Sequence, residues 1–264
     1  MSLTRRSLLS FPALLPVTQA IAAAPPRPGL VLWRRDEFDR PAVEGGNIGW
    51  KTSFFNGRRA LDKEPQAYLD ADHPLKTVRI RDGMLSLRAM PSNDLKADHP
   101  WARFGSGMVS SHETVKFRYG YVEARIHIPA GKGLWPAFWL FPGYEVPYGE
   151  IDIMEALGHE PGLVYSHVHA GPQWKGRKMH PFTLKREKPF SEGFHVYAVD
   201  WNERLTTFFV DGQPIGSVAT PEEIKVPMFV MLNLAMAGPW GPPPDADASG
   251  EMLVDWVRIW RYRR

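Results

Sequence analysis

A chain of 264 residues without a single cysteine is long enough to bury a sizeable core as one large all-β domain or two small ones, with no disulfide framework, thiolate nucleophile or zinc ribbon. Its formal charge of +3 falls by two once Arg5 and Arg6 are set aside, so the charge balance supports no nucleic-acid partner. Abundant glycine (23), proline (25) and tryptophan (10) favour turns and aromatic surfaces over long helices.

The first 24 residues, Met1 to Ala24, read as a targeting segment. Arg5 and Arg6 precede an apolar run from Leu8 to Val17, and small residues follow up to Ala20-Ile21-Ala22. The run is too short to span a bilayer, and Pro12 and Pro16 break it as a helix. The paired arginines in TRRSLLS are similar to the signal that exports folded proteins, although a general secretory signal has the same layout. A mature protein outside the cytoplasm, secreted or periplasmic, is therefore expected. The rest of the chain, 25–264, shows no internal repeat and no linker, and is read as one domain.

Beyond the leader, short strands alternate with turns. In VRIRDGMLSLRA, Val78 and Ile80 alternate with Arg79 and Arg81, Asp82-Gly83 supplies the turn, and Leu85 and Leu87 alternate back. A second hairpin is expected in TTFFVDGQPIGS, turning at Asp211-Gly212. Further strand-like runs are 120–128, 137–141, 150–155, 164–168, 195–201, 228–234 and 252–260, whereas 95–101 and the proline-rich stretch 238–250 read as surface loops. About a dozen strands at this spacing predict a two-sheet β-sandwich with no long helix.

The most informative run is GEIDIMEALG, where Glu150, Asp152 and Glu155 interrupt an apolar strand. On a regular strand Glu150 and Asp152 share one face, and Ile151 and Ile153 point into the other. Glu155 then has the wrong parity. One extra residue, a β-bulge near Met154, returns it to the acidic face. Three carboxylates on one face repel one another, which keeps at least one of them protonated near neutral pH. An ionised and a protonated carboxyl roughly 5 Å apart are what glycoside cleavage by direct attack on the sugar requires. The bland alternative is the solvated face of an edge strand, yet no cation falls within the run to offset the charge.

GEIDIME resembles the active-site signature of glycoside hydrolase family 16 in its longer form, E-x-D-x-x-E. The blocks YGYVEARIHIPAGKGLWPAFWLFP, VYSHVHAG, GFHVYAVDW, NLAMAGPW and EMLVDWVRIWRY are similar to the family's blocks in the family's order, and together they cover nearly the whole mature chain. The resemblance implies an antiparallel two-sheet jelly roll like concanavalin A, with a polysaccharide cleft across the concave sheet. It implies Glu150 as nucleophile, Glu155 as general acid and base, and Asp152 as the acid supporting the pair. Ala237 stands where many relatives have a second glycine, and the approach from Tyr144 to Tyr148 fits no particular subclass.

Trp135 and Trp139 share a strand parity if Pro136 leaves the strand unbroken, and aromatic rings pack against the apolar faces of sugars. Family position places both in the cleft, Trp135 more than Trp139, and Trp240 resembles the loop tryptophan beside the scissile bond. Trp33, Trp201, Trp256 and Trp260 are assigned to structure. His169 shares parity with Tyr165 and His167 and is read as binding substrate; a metal on the two histidines lacks an evident third ligand. Asn233 is read either as a sugar contact or as satisfying backbone groups at a sheet edge.

Glu37 and Asp255 are similar to positions that hold a structural calcium in several relatives, with ordinary surface acids as the alternative. No organic cofactor is implied, and neither is a membrane span; a monomer acting on a polysaccharide is expected. The leading function is a retaining endo-β-glycosidase on β-1,3- or β-1,3-1,4-glucan or a bacterial exopolysaccharide. Its alternatives are a transglycosylase using the same carboxylates and a non-catalytic lectin on the same fold.

Overall fold

The computed structural model describes residues 26–60, 64–143, 148–171, 178–236 and 240–263. The targeting segment, Ala237 and most of the Tyr144 to Tyr148 approach lie outside these residues. In chain order the strands are β1 (Leu30–Asp36), β2 (Gln66–Tyr68), β3 (Val78–Arg81), β4 (Met84–Pro91), β5 (Phe104–Ser106), β6 (Met108–Ser110), β7 (Lys116–Phe117), β8 (Gly120–His127) and β9 (Leu134–Phe141). They continue as β10 (Tyr148–Glu155), β11 (Leu163–Gly171), β12 (Lys178–Lys185), β13 (His195–Trp201), β14 (Leu205–Val210), β15 (Gln213–Ala219), β16 (Met228–Met236) and β17 (Gly250–Tyr262). The helical content of the described residues is three short 3₁₀ turns.

Both Asp-Gly turns form as the sequence predicts. Asp82 and Gly83 have φ of 53° and 73°, and Asp211 and Gly212 have 50° and 77°. Two consecutive positive φ values match the right-handed twist of a tight hairpin, which is why Asp-Gly is favoured there. The turns join β3 to β4 and β14 to β15 in antiparallel register.

Two sheets result. One has ten strands, in the order β15-β14-β13-β8-β17-β4-β5-β2, with β1 beside β17 and β3 beside β4. The other has seven, in the order β12-β11-β10-β9-β16-β6, with β7 beside β16. The expected antiparallel pattern holds except between β2 and β5, which run parallel. Alternation places Val122, Ala124, Ile126, Val254, Val257 and Ile259 of the large sheet against Phe138, Leu140, Ile151, Val230, Leu232 and Leu234 of the small one in a single buried cluster. Each of these side chains larger than alanine contributes about 1.5–3 kcal/mol on burial, so the inter-sheet layer is the main source of stability in a protein with no disulfide. Trp201 and Trp260 are buried as expected of structural residues, and Trp260 Nε1 donates to Glu123.

β16 is buried along its whole length, MFVMLNLAM, because it is an inner strand of the small sheet. Its even-numbered residues face the large sheet. The odd-numbered Met231, Asn233 and Ala235 therefore lie on the opposite face, beside Trp139, Ala137 and Trp135 of β9. That outer face of the small sheet carries the candidate site.

Candidate active site

β10 contains the predicted bulge. Against β9 its register runs Ile151 to Leu140 and Asp152 to Trp139, then shifts, so that Met154 pairs with Phe138 and Glu155 with Ala137. Against β11 the pairs are Glu150 with His169, Asp152 with His167 and, after the shift, Glu155 with Tyr165. The extra residue leaves Ile151, Ile153 and Met154 in the inter-sheet core. It also turns Glu155 onto the same face as Glu150 and Asp152. Gly149 lets β10 pass closely over the 3₁₀ turn Glu222–Ile224, since a Cβ there would lie 2.5 Å from the carbonyl oxygen of Glu223. An alanine at this position would push the strand that carries Glu150 out of place.

Pro136 does not interrupt β9, whose pairing with β16 runs from Leu134 opposite Met236 to Phe141 opposite Phe229 without a shift. Trp135 and Trp139 consequently share the site face. The Trp135 indole donates to Glu155 Oε1 at 3.0 Å, and its ring meets Trp240 edge to face with centroids 5.4 Å apart. Trp240 also packs against Tyr165 and His167, at 5.1 and 5.9 Å. A loop residue far along the chain is thereby brought against the indole and the imidazole that contact Glu155. Trp139 is only 8% exposed and packs with Phe141, Tyr148 and Met231, so it forms the wall of the site more than its open surface.

Asn233 is held from both ends. Its Oδ1 accepts from Trp139 Nε1 at 2.7 Å, and its Nδ2 donates to the Tyr68 hydroxyl at 3.1 Å. It braces the wall, and the edge-backbone role does not describe it. Gln66 extends the same support by donating to Glu64 and accepting from the backbone N–H of Met236.

The carboxylates are linked through two histidines. Glu155 Oε2 is 2.7 Å from His167 Nδ1, which lies 3.8 Å from Asp152 Oδ2. His169 Nε2 is 3.0 Å from Asp152 Oδ2 and 4.0 Å from Glu150 Oε1. Tyr148, two residues before Glu150 on the same face, donates its hydroxyl to Glu150 Oε2 at 2.6 Å. Burial, followed by the charge of Asp152, pushes the Glu150 carboxyl up to about 8; the Tyr148 hydrogen bond and His169 act in the opposite direction. The crowded face thus retains a proton near neutrality, as the sequence predicts. The elevated group is Glu150, the expected nucleophile, raised by burial and by the neighbouring charge of Asp152.

Several contributors carried weak or no sequence signals. Tyr148 has the parity of Glu150 and was legible from spacing alone. Tyr165, which donates to Glu160 and stacks 6.3 Å from His167, was visible only as part of a polar row. Tyr68 and Gln66 have no local signal, since the β2–β5 pairing is what brings them to β16.

The residues similar to calcium positions are arranged differently from a cation cage. Both Glu37 oxygens accept from Arg258, at 3.0 and 3.1 Å, and Asp255 accepts from Arg125 at 2.6 Å. Calcium takes six to eight oxygens, whereas each of these carboxylates already holds a guanidinium. As arranged, the pair does not fit a calcium site.

Residues 70–258 match the model for glycosyl hydrolases family 16. The chain belongs to this family. Proteins similar to it include the glucan endo-1,3-beta-glucosidase A1 of Niallia circulans, 30% identical over 88% of this chain and 38% of that protein. The endo-1,3-1,4-beta-glycanase EglC of Rhizobium meliloti is 34% identical over 69% of this chain and 39% of its own length. The chain thus spans well under half the length of these two relatives. Among solved structures, the endo-beta-1,3-glucanase of Pyrococcus furiosus superposes with a TM-score of 0.72 at 28% identity, covering 90% of this chain and 99% of that one. The family 16 domain accordingly has a glycoside hydrolase's jelly roll, with its acidic strand on the outer face of the smaller sheet. No helix among the described residues is long and apolar enough to cross a membrane.

Proposed function

We propose that this domain is a retaining endo-β-glycosidase that hydrolyses internal O-glycosidic bonds of a β-1,3- or mixed-linkage glucan or of a related bacterial exopolysaccharide. The observation that carries the reading is the bulge in β10, which puts Glu150, Asp152 and Glu155 on one face, with Trp135 donating to Glu155 and Trp240 packed on Trp135 and His167. The names of the two curated relatives support the glucan class.

Glu150, as the anion, attacks the anomeric carbon while Glu155 gives its proton to the departing glycosidic oxygen. The covalent sugar ester then hydrolyses as Glu155, now a carboxylate, takes a proton from the incoming water, and Glu150 leaves. Productive binding therefore needs the site's proton on Glu155, not on Glu150. Tyr148 and His169 support the Glu150 anion, and the sugar ring, lying against Trp135, excludes water from Glu155. Asp152 sits between the two, 3.8 Å from His167 Nδ1 and 3.0 Å from His169 Nε2, and its charge raises the Glu150 carboxyl.

Export is proposed with this activity, since a polymeric substrate lies outside the cell and Arg5-Arg6 open an apolar leader. Reducing-sugar release from a panel of β-glucans and exopolysaccharides tests the function. Release from laminarin or lichenan, with the β-anomer as first product by NMR, is expected. Binding without release identifies a lectin, an α-anomer means inversion, and elongated oligosaccharides mean transglycosylation.

A further inference from the structure

His167 and His169 are two residues apart on β11, so their imidazoles leave the same face of the sheet. Asp152 is the direct cross-strand partner of His167. One ligand-type atom from each of the three lies within 4.8 Å of the others, and all three side chains are buried. The separations from Asp152 Oδ2, 3.0 Å to His169 Nε2 and 3.8 Å to His167 Nδ1, bracket the edge of about 3.4 Å expected of a tetrahedral zinc with bonds of about 2.0–2.1 Å. The third ligand that the histidine pair lacks in sequence is thus supplied by the bulged strand next to it.

We propose that Asp152, His167 and His169 form a binding site for a zinc-like divalent transition metal, and that filling it switches the hydrolase off. Two imidazoles and one carboxylate suit such an ion, whereas magnesium and calcium favour all-oxygen shells. The ion would draw the histidines together by small side-chain rotations and occupy the floor of the cleft. Coordination through Nδ1 ends the contact of His167 with Glu155, whose Oε2, now 2.7 Å from that nitrogen, is placed to become a fourth ligand. Asp152 and Glu155 would then be engaged by metal and lost to the sugar. No covalent step is involved, and a chelator reverses the effect.

The binding claim is independent of the proposed reaction; the inhibition claim rests on it. The test uses the full chain, stripped with EDTA and titrated with zinc chloride by calorimetry and with cobalt(II) by visible absorption. One equivalent of zinc and the strong d–d bands of four-coordinate cobalt are expected. His167→Ala/His169→Ala should abolish the bands and weaken zinc at least about 100-fold, an estimate set by the 10- to 100-fold cost of losing a mere supporting contact. Thermal melts report whether that variant folds. If it does not, Asp152→Asn, which preserves side-chain volume, must show the same loss. Undiminished binding in the folded variants would place the metal on histidines elsewhere in the chain and overturn the site, as would no cobalt spectrum in the wild type at millimolar metal. Zinc should also abolish polysaccharide cleavage, with recovery in EDTA. Cleavage unaffected by a bound equivalent would overturn the switch alone, and absence of all cleavage would count against the reaction while the spectrum still decides the site.

Discussion

The indole N–H of Trp135 points at Oε1 of Glu155 and donates to it at 3.0 Å, so one aromatic ring both lines the cleft and orients the proposed acid. Pro136 follows Trp135 immediately, yet the strand stays in register and holds the indole in place. Trp135→Phe keeps a six-membered aromatic ring and removes the donor together with the pyrrole ring that carries it. A hydrogen bond to a charged group contributes about 1.5–3 kcal/mol, so kcat on polysaccharide should fall roughly 10- to 100-fold with little change in KM. Steady-state kinetics on a soluble glucan separate this from a pure binding effect, which would raise KM at constant kcat.

Trp240 has a different role, since its ring rests on Trp135, Tyr165 and His167 from a loop and, among the described residues, belongs to no hydrophobic core cluster. Trp240→Ala should reduce kcat/KM by about 10-fold or more through lost stacking on sugar, while the melting temperature moves by only a few degrees. Melts and kinetics are measured on the same preparation. A loss of stability in proportion to activity would assign the ring to the fold.

Tyr148 and Asp152 act on Glu150 with opposite sign. The tyrosine hydroxyl stabilises the anion and Asp152 destabilises it. Because the active site holds one proton, kcat/KM falls on the alkaline side as that proton is lost, at about 8 in the free enzyme. Tyr148→Phe should move that limb to higher pH, and Asp152→Asn should move it to lower pH, even as it reduces the maximal rate. A pH–rate profile of the three proteins checks both directions, and shifts of the same sign would contradict the coupling.

The elevated Glu150 carboxyl also links folding to pH. An unfolded glutamate titrates at about 4.3, so between that value and about 8 the native state holds a proton that the unfolded chain has lost. Stability therefore falls as pH rises through this window and levels off above the native value. Glu150→Gln keeps a neutral side chain of the same shape that still accepts from Tyr148. It should be more stable than the wild type by up to a few kcal/mol near pH 8 and indistinguishable near pH 4. Thermal melts across that range measure it. A variant no more stable at pH 8 would mean that Glu150 is comfortable as an anion.

Much of this arrangement was readable in the chain because it depends on parity. The bulge follows from the five-residue spacing between Glu150 and Glu155 on a strand whose isoleucines demand the core, and both Asp-Gly hairpins follow from local turn chemistry. Trp135 and Trp139 share a face for the same reason. What parity could not disclose is which strands become neighbours. Tyr68 reaches Asn233 because the short β2 pairs in parallel with β5, a contact between segments far apart in sequence. β12, KMHPFTLK, hides its strand character behind Pro181 and an exposed, charged edge. Nor does spacing say which carboxyl is raised, since that depends on the burial, charges and hydrogen bonds that the neighbouring strands supply.

Glu150 and Glu155 should be separable by leaving group, because they serve different halves of a double displacement. The nucleophile must reach the anomeric carbon whatever departs, whereas acid assistance matters little for an activated aryl group. Glu150→Ala should lose at least about 10⁴-fold in kcat on polysaccharide and on an aryl β-glycoside alike. Glu155→Ala should be equally poor on polysaccharide yet still form the glycosyl-enzyme from the aryl glycoside, releasing a burst of phenol and then stalling for want of a base to activate water. Azide, an anion that needs no base, should release the stalled enzyme as a β-glycosyl azide, identified by NMR and mass spectrometry. The raised Glu150 carboxyl adds weight to the comparison, for the reverse assignment would make Glu150 the acid and Glu155 the nucleophile. In that case the burst and the azide product would appear with Glu150→Ala and be absent from Glu155→Ala, and the two roles would have to be exchanged.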